Sequence, residues 1–169
     1  MTQTTQASSR TFLVQAIPPE YLDRVRAGGR DEAGNDLHVR VEAEGGHPLR
    51  CCLRDSRAGE HVLLIAYTPP GTTGPYAERG PVFVHAEPCA GYAELNTYPQ
   101  GLAHRRQVVR AYDERGDMGD SALADDGEHA REVVAEMLAQ PDVAIVHVRN
   151  VTAGCYNFCV LPAARSAEA

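Results

Sequence analysis

Helical periodicity appears in only two places in this 169-residue chain, once near each end, and that placement limits the folds open to it. Residues 20–27 follow Pro18-Pro19 and set Tyr21, Leu22 and Val25 on one helical face, before Gly28-Gly29 stops the turn. Residues 127–139 carry the stronger pattern: Ala130, Val133, Val134, Met137 and Leu138 form an apolar stripe, Asp125 or Asp126 can cap its amide end, and Pro141 lies just beyond. Everything else is written in short apolar runs. Residues 11–17, 37–41, 52–53, 61–67, 82–85, 107–112, 143–148 and 156–160 read as strands, with Leu37, Val39 and Val41 alternating against His38 and Arg40. The regular strand–helix alternation of a parallel doubly wound sheet is missing, so the expected fold is α+β, with a mainly antiparallel sheet packed by two helices. A single domain is expected over residues 11–161, with polar, unpatterned tails at 1–10 and 162–169.

Composition supports an ordinary soluble core, with 43% apolar and 23% charged residues. Five cysteines are an odd number, the first ten residues lack an apolar signal core, and the longest apolar run, 62–67, is far too short to cross a bilayer. Reduced thiols, a cytoplasmic location and no membrane partner are the expectation. A formal net charge of −7 argues against nucleic acid, although Arg105, Arg106 and Arg110 form a small basic spot. All sixteen Lys+Arg positions are arginine, which excludes Schiff-base chemistry on a lysine and the lysine of a phosphate loop.

Residues 68–80 hold three glycines and three prolines and must form a long surface loop. Loops of that length within a compact domain are more often functional than not. Two histidines stand at the carboxyl ends of strands beside loops that bear a cysteine: His85 before Cys89, and His147 before Cys155. In 143–149 the strand period puts Val143, Ile145, His147 and Arg149 on one side. A thiol nucleophile needs a nearby histidine and an oxyanion donor, and Cys51, Cys52, Cys89 and Cys155 are eligible by type, but no local cysteine-enzyme signature surrounds them. No Cys-x-x-Cys pair announces zinc, so no metal and no cofactor is assigned, and buried apolar cysteines are the bland alternative. Glu42 with Glu44 reads as a solvated strand face, and Asp125-Asp126 as a helix cap.

Taken together, Cys52-Leu53-Arg54-Asp55, Gly59-Glu60, Pro75-Tyr76-Ala77-Glu78, Gly80 through Cys89 with Tyr92, Arg110-Ala111-Tyr112-Asp113, and Val146-His147-Val148-Arg149 with Gly154-Cys155 form a pattern. It resembles the uncharacterised bacterial family known as domain of unknown function 1203, from about Phe12 to Val160. That family brings no activity with it. The family pattern reads Pro-Cys-Arg-x-Cys-Leu, whereas this chain has Pro48-Leu49-Arg50-Cys51-Cys52-Leu53, so a Cys-x-x-Cys role fails here unless Cys51 substitutes, and neighbours on a strand point to opposite faces.

The favoured expectation is a small-molecule-binding domain or small enzyme whose pocket, at the strand ends below the 68–80 loop, draws on Cys52, Tyr76, His85, Cys89, His147, Arg149 and Cys155. The rival from another class is a non-catalytic structural or interaction domain with these side chains in its core, and metal binding is a minor alternative. An exposed strand edge could pair two copies into a homodimer.

Overall fold

The computed structural model describes residues 12–163. The expected tails therefore lie outside the described residues, apart from Pro162 and Ala163. Ten strands and two helices follow in the order β1 (Phe12–Gln15), α1 (Pro19–Gly28), β2 (Arg40–Val41), β3 (Gly45–Leu49), β4 (Arg54–Arg57), β5 (His61–Tyr67), β6 (Gly80–His85), β7 (Gln107–Tyr112), β8 (Met118–Ala124), α2 (Gly127–Leu138), β9 (Ile145–Asn150) and β10 (Tyr156–Pro162). The α+β class holds, but there are two five-stranded sheets rather than one. The order β1-β10-β9-β7-β8 is antiparallel throughout, while β2-β5-β6-β3-β4 is mixed, because β3 runs parallel to β6 with Leu49 opposite Phe83.

Both helices form where their apolar period lies. Gly29, in the left-handed conformation at φ +69°, closes α1 and bonds back to Val25 and Arg26. The Asp126 carboxylate accepts the His129 amide hydrogen at the start of α2. Ala130, Val134 and Met137 of α2 pack on Val109, Val146, Val148, Phe158 and Val160 in one face of the antiparallel sheet. Its other face meets the mixed sheet: Tyr112, Ile145, Tyr156 and Cys159 share a cluster with Ile65, Tyr67, Val82 and Val84. A bulge between Tyr156 and Phe158 makes this two-faced arrangement work in β10, because it turns Tyr156 toward the mixed sheet while Phe158 faces α2.

Three expectations are corrected. Residues 37–41 contribute only the two-residue β2, and Val39 and Val41 are 62% and 64% exposed, so that alternation marked no buried face. Cys52-Leu53 is not strand. It lies in a four-residue turn that joins β3 to β4, where the Leu53 amide donates to Leu49 O at 2.9 Å. Glu42 is buried rather than solvated, and accepts from Ser56 Oγ at 2.6 Å with His47 Nδ1 at 2.7 Å.

The long loop does lie between β5 and β6, and it is held down by His147. The buried imidazole stands 4.7 Å from the Tyr112 ring and 5.2 Å from the Tyr156 ring, and its Nε2–H donates to Pro70 O at 2.7 Å. One residue on, Gly71 has φ +81°, and a Cβ there would stand 2.6 Å from Ile145 Cγ2, so only glycine lets the loop lie this close. Burial pushes the pKa of His147 down to about 4 from its ordinary 6.5. The folded state then holds fewer protons than the unfolded chain between those values, so stability falls as the pH drops through that window. At about 1.4 kcal/mol per pH unit the loss reaches about 3 kcal/mol. Urea melts at pH 7 and pH 4.5 should show it, and His147→Gln should flatten the dependence; equal pH slopes for both proteins would contradict this account.

Candidate metal centre

The turn at residues 50–53 is where the site begins. Leu53 adopts φ +56°, a left-handed conformation costly for a side chain, and is kept there by burial among Tyr98 and Leu102. Behind it, Gly101 packs against the turn so closely that a Cβ would meet Leu53 O at 2.7 Å. Because the backbone turns here, Cys51 and Cys52 point their sulfurs into the same space, which removes the objection that neighbours on a strand diverge. The parallel pairing of β3 with β6, extended by the Arg50 amide bond to Phe83 O at 2.9 Å, brings this turn to the end of β6, where His85 stands. Cys89 follows in the next loop. That loop is fastened by Arg26 of α1, whose guanidinium donates to the carbonyls of His85, Ala86 and Glu87 at 3.0, 3.1 and 3.2 Å.

Cys51, Cys52, His85 and Cys89 thus converge, with every candidate donor atom within 4.8 Å of the others. The His85 Nδ1 is 3.4 Å from Cys51 Sγ and 3.8 Å from Cys52 Sγ. A tetrahedral zinc ion with bonds of about 2.3 Å to sulfur and about 2.0 Å to nitrogen sets S···N edges at about 3.6 Å and S···S edges at about 3.8 Å. The two S···N separations from His85 bracket the first of these values, and all four donors lie within 4.8 Å of one another.

Each sulfur also has a backbone N–H directed at it. The His85 amide reaches Cys51 Sγ at 3.3 Å, while the Arg54 and Gly91 amides, each two residues past a cysteine, bond to Cys52 and Cys89. Such donors favour a sulfur that carries negative charge. Among the thiols themselves the protons are unevenly held. The bond with Cys52, with burial, pushes Cys51 up to about 11; the bond with Cys51, with burial, pushes Cys89 up to about 12; Cys52, on the receiving side of the Cys51 bond, is lowered.

Around this shell lies a second layer. Glu60 Oε1 is 3.3 Å from His85 Nε2, and Arg54 grips Glu60 through both carboxylate oxygens at 2.6 and 3.0 Å. The Arg54 hydrogen bonds, joined by the Arg57 amide and His85, hold the Glu60 carboxyl down at about 2, so it is an anion throughout the physiological range. With its proton on Nε2, His85 donates to Glu60 and turns the Nδ1 lone pair toward the sulfurs; the other tautomer accepts from Arg54 at 3.2 Å and fills the cluster with a proton instead. The Arg54 cation, which also interacts with Cys51 and Cys52, faces the excess negative charge that three thiolates would bring.

A family model described as "Protein of unknown function (DUF1203)" matches residues 46–161. The chain belongs to this family. The matched DUF1203 segment carries the turn, β6 and Cys89, and so the whole four-donor cluster, while the resemblance traced back to Phe12 exceeds it on the amino-terminal side. No curated protein and no solved structure matches the chain.

The expected pocket residues fall into two places. Cys52, His85 and Cys89 come together, joined by Cys51, which stands in for the cysteine that Leu49 replaces in the family pattern. Arg149 and Cys155 line a separate cleft, His147 is sealed beneath the loop, and Tyr76, in a short 3-10 turn at Gly74–Tyr76, is 37% exposed and joins neither. Arg54 and Glu60 belong to the metal-type cluster and were missed, because a charged pair six residues apart carries no signal until β4 and β5 bring it beside His85. No helix among the described residues is long and apolar enough to cross a membrane.

Proposed function

We propose that this protein binds zinc through Cys51, Cys52, Cys89 and Nδ1 of His85, with Glu60 orienting the imidazole. The observation that carries the reading is the convergence of four donors within 4.8 Å of one another, with S···N separations of 3.4 and 3.8 Å on either side of the edge of a zinc tetrahedron. Two further features support it. A histidine that ligates a metal commonly gives its other ring hydrogen to a carboxylate, as His85 can to Glu60, and three thiolates with one imidazole are a donor set suited to zinc. Four protein ligands leave no open coordination position, so the metal's role is to tie the 50–53 turn, the end of β6 and the loop after it into one unit.

Metal analysis of protein purified without chelator should give one zinc per chain, and cobalt(II) in its place should show the absorption of a tetrahedral, thiolate-rich site. Protein that holds neither metal stoichiometrically would end the proposal. Glu60→Gln keeps the shape of the side chain but weakens its hold on the histidine, and should lower zinc affinity about 10- to 100-fold. Competition against a chromophoric chelator measures this directly, and unchanged affinity would show that Glu60 serves Arg54 alone.

A further inference from the structure

The second cleft lies at the start of β6, beside Gly80, Pro81 and Val82, whereas the sulfur cluster stands at its end. Its volume is about 180 Å³, and its walls include Tyr67, Glu78, Pro81, Val82, Arg149 and Cys155. Arg149 is only 4% exposed, yet its guanidinium is incompletely used. NH1 takes both of its polar contacts, donating to Gly154 O at 3.0 Å and pairing with Glu78 Oε2 at 2.7 Å, while the buried Nε has no partner among the described residues. A buried donor left unpaired costs about 1–3 kcal/mol, and a ligand whose oxygen reaches it recovers this.

At the cleft one carboxylate faces two arginines. Glu78 divides its carboxylate between Arg149 and Arg110, which lies 3.0 Å away. Arg50, 2% exposed, does not line the cleft; it forms no ion pair among the described residues and donates through Nε to the carbonyl of the lining residue Tyr156 at 2.8 Å. Two buried guanidinium groups therefore grip the carbonyls on either side of Cys155, at Gly154 and Tyr156, and hold that half-buried thiol at the cleft.

From the unpartnered Nε of Arg149, the two arginines that share the single Glu78 carboxylate, and the apolar wall, we infer that this cleft binds a small organic carboxylate beside the Cys155 thiol. A carboxylate matches the flat edge of a guanidinium with paired hydrogen bonds, and a short carbon chain would lie against Tyr67, Pro81 and Val82.

Alkylation of Cys155 in the intact protein tests this, read by peptide mass spectrometry so that the other four cysteines are scored separately. Iodoacetate and iodoacetamide react in the same way: the sulfur displaces iodide, a carbon–sulfur bond forms, and the thiol proton goes to solvent. They differ in that only iodoacetate carries a carboxylate. The ratio of their rates at Cys155 should exceed the ratio for glutathione by about tenfold or more. Propionate should slow both reactions, and inorganic phosphate at the same ionic strength should do so far less. Arg149→Gln should bring the ratio back to that of glutathione; if that variant fails to fold, the wild-type ratio and the propionate protection decide. A wild-type ratio equal to that of glutathione overturns the inference, as does protection by phosphate equal to that by propionate. The result is independent of whether zinc is bound.

Discussion

Zinc at about a thousand times its dissociation constant should raise the melting temperature by about 8–16 °C, and Cys89→Ser should cut the rise at the same zinc concentration to about 3–6 °C or less. The magnitude follows from linkage: a ligand at that excess that binds only the folded state adds about 4 kcal/mol, and 1 kcal/mol moves the midpoint of a chain of this size by about 2–4 °C. Cys89 is the informative ligand to change because it is the one supplied by a loop, and its removal leaves the paired sheets untouched. Structural zinc sites contribute about 10–16 kcal/mol over four ligands, so the loss of one thiolate should weaken binding by at least about 100-fold. The chain should remain folded without metal, because the two apolar clusters that join the sheets and α2 are built largely from residues remote from the sulfurs. Melts in zinc and in chelator, run on both proteins, check this, and coincident wild-type curves would sink it.

The parts of the fold legible in the sequence are those whose pattern is local. α2 could be read from its apolar stripe and capping aspartate, and β5 and β7 from their runs of branched and aromatic residues. β3 could not, because Gly45-Gly46-His47-Pro48-Leu49 has no strand-like alternation and takes its conformation from β4 and β6. β8 is an edge strand with most of its residues exposed or half-buried, and it too lacks a readable face. The division into two sheets depends on a parallel pairing between segments over thirty residues apart, which no periodicity announces. The same missing pairing hid the site. Their place at a strand end marks His85 and Cys89, but strand geometry speaks against Cys51 and Cys52 acting as a pair, and only the turn between β3 and β4 shows that adjacent sulfurs can share one target. His147 looked similar to His85 in sequence. Its burial between the sheets, and its bond to Pro70, make it an anchor for the loop instead.

The acidity of the three thiols makes zinc affinity the property most sensitive to pH. Cys51 near 11 and Cys89 near 12 are both protonated at neutral pH, and each must give up its proton before it can ligate. Binding therefore releases two protons from these residues, and the apparent association constant should rise by about 100-fold for each pH unit between about 7 and 9, since every proton released contributes one power of ten. The sign follows from competition: protons and zinc contend for the same sulfurs, so raising the pH favours the metal. Cys52 is already lowered by its bond from Cys51, and any proton it still holds would steepen the slope rather than flatten it. Cys52→Ala deletes a ligand but also takes away the acceptor that keeps the Cys51 proton in place, so Cys51 gives up its proton more readily there and part of the lost affinity returns. Chelator competition across this pH range measures the slope, and calorimetry in buffers of different ionisation enthalpy counts the protons independently. A slope near zero would mean that the thiols are not the ligands.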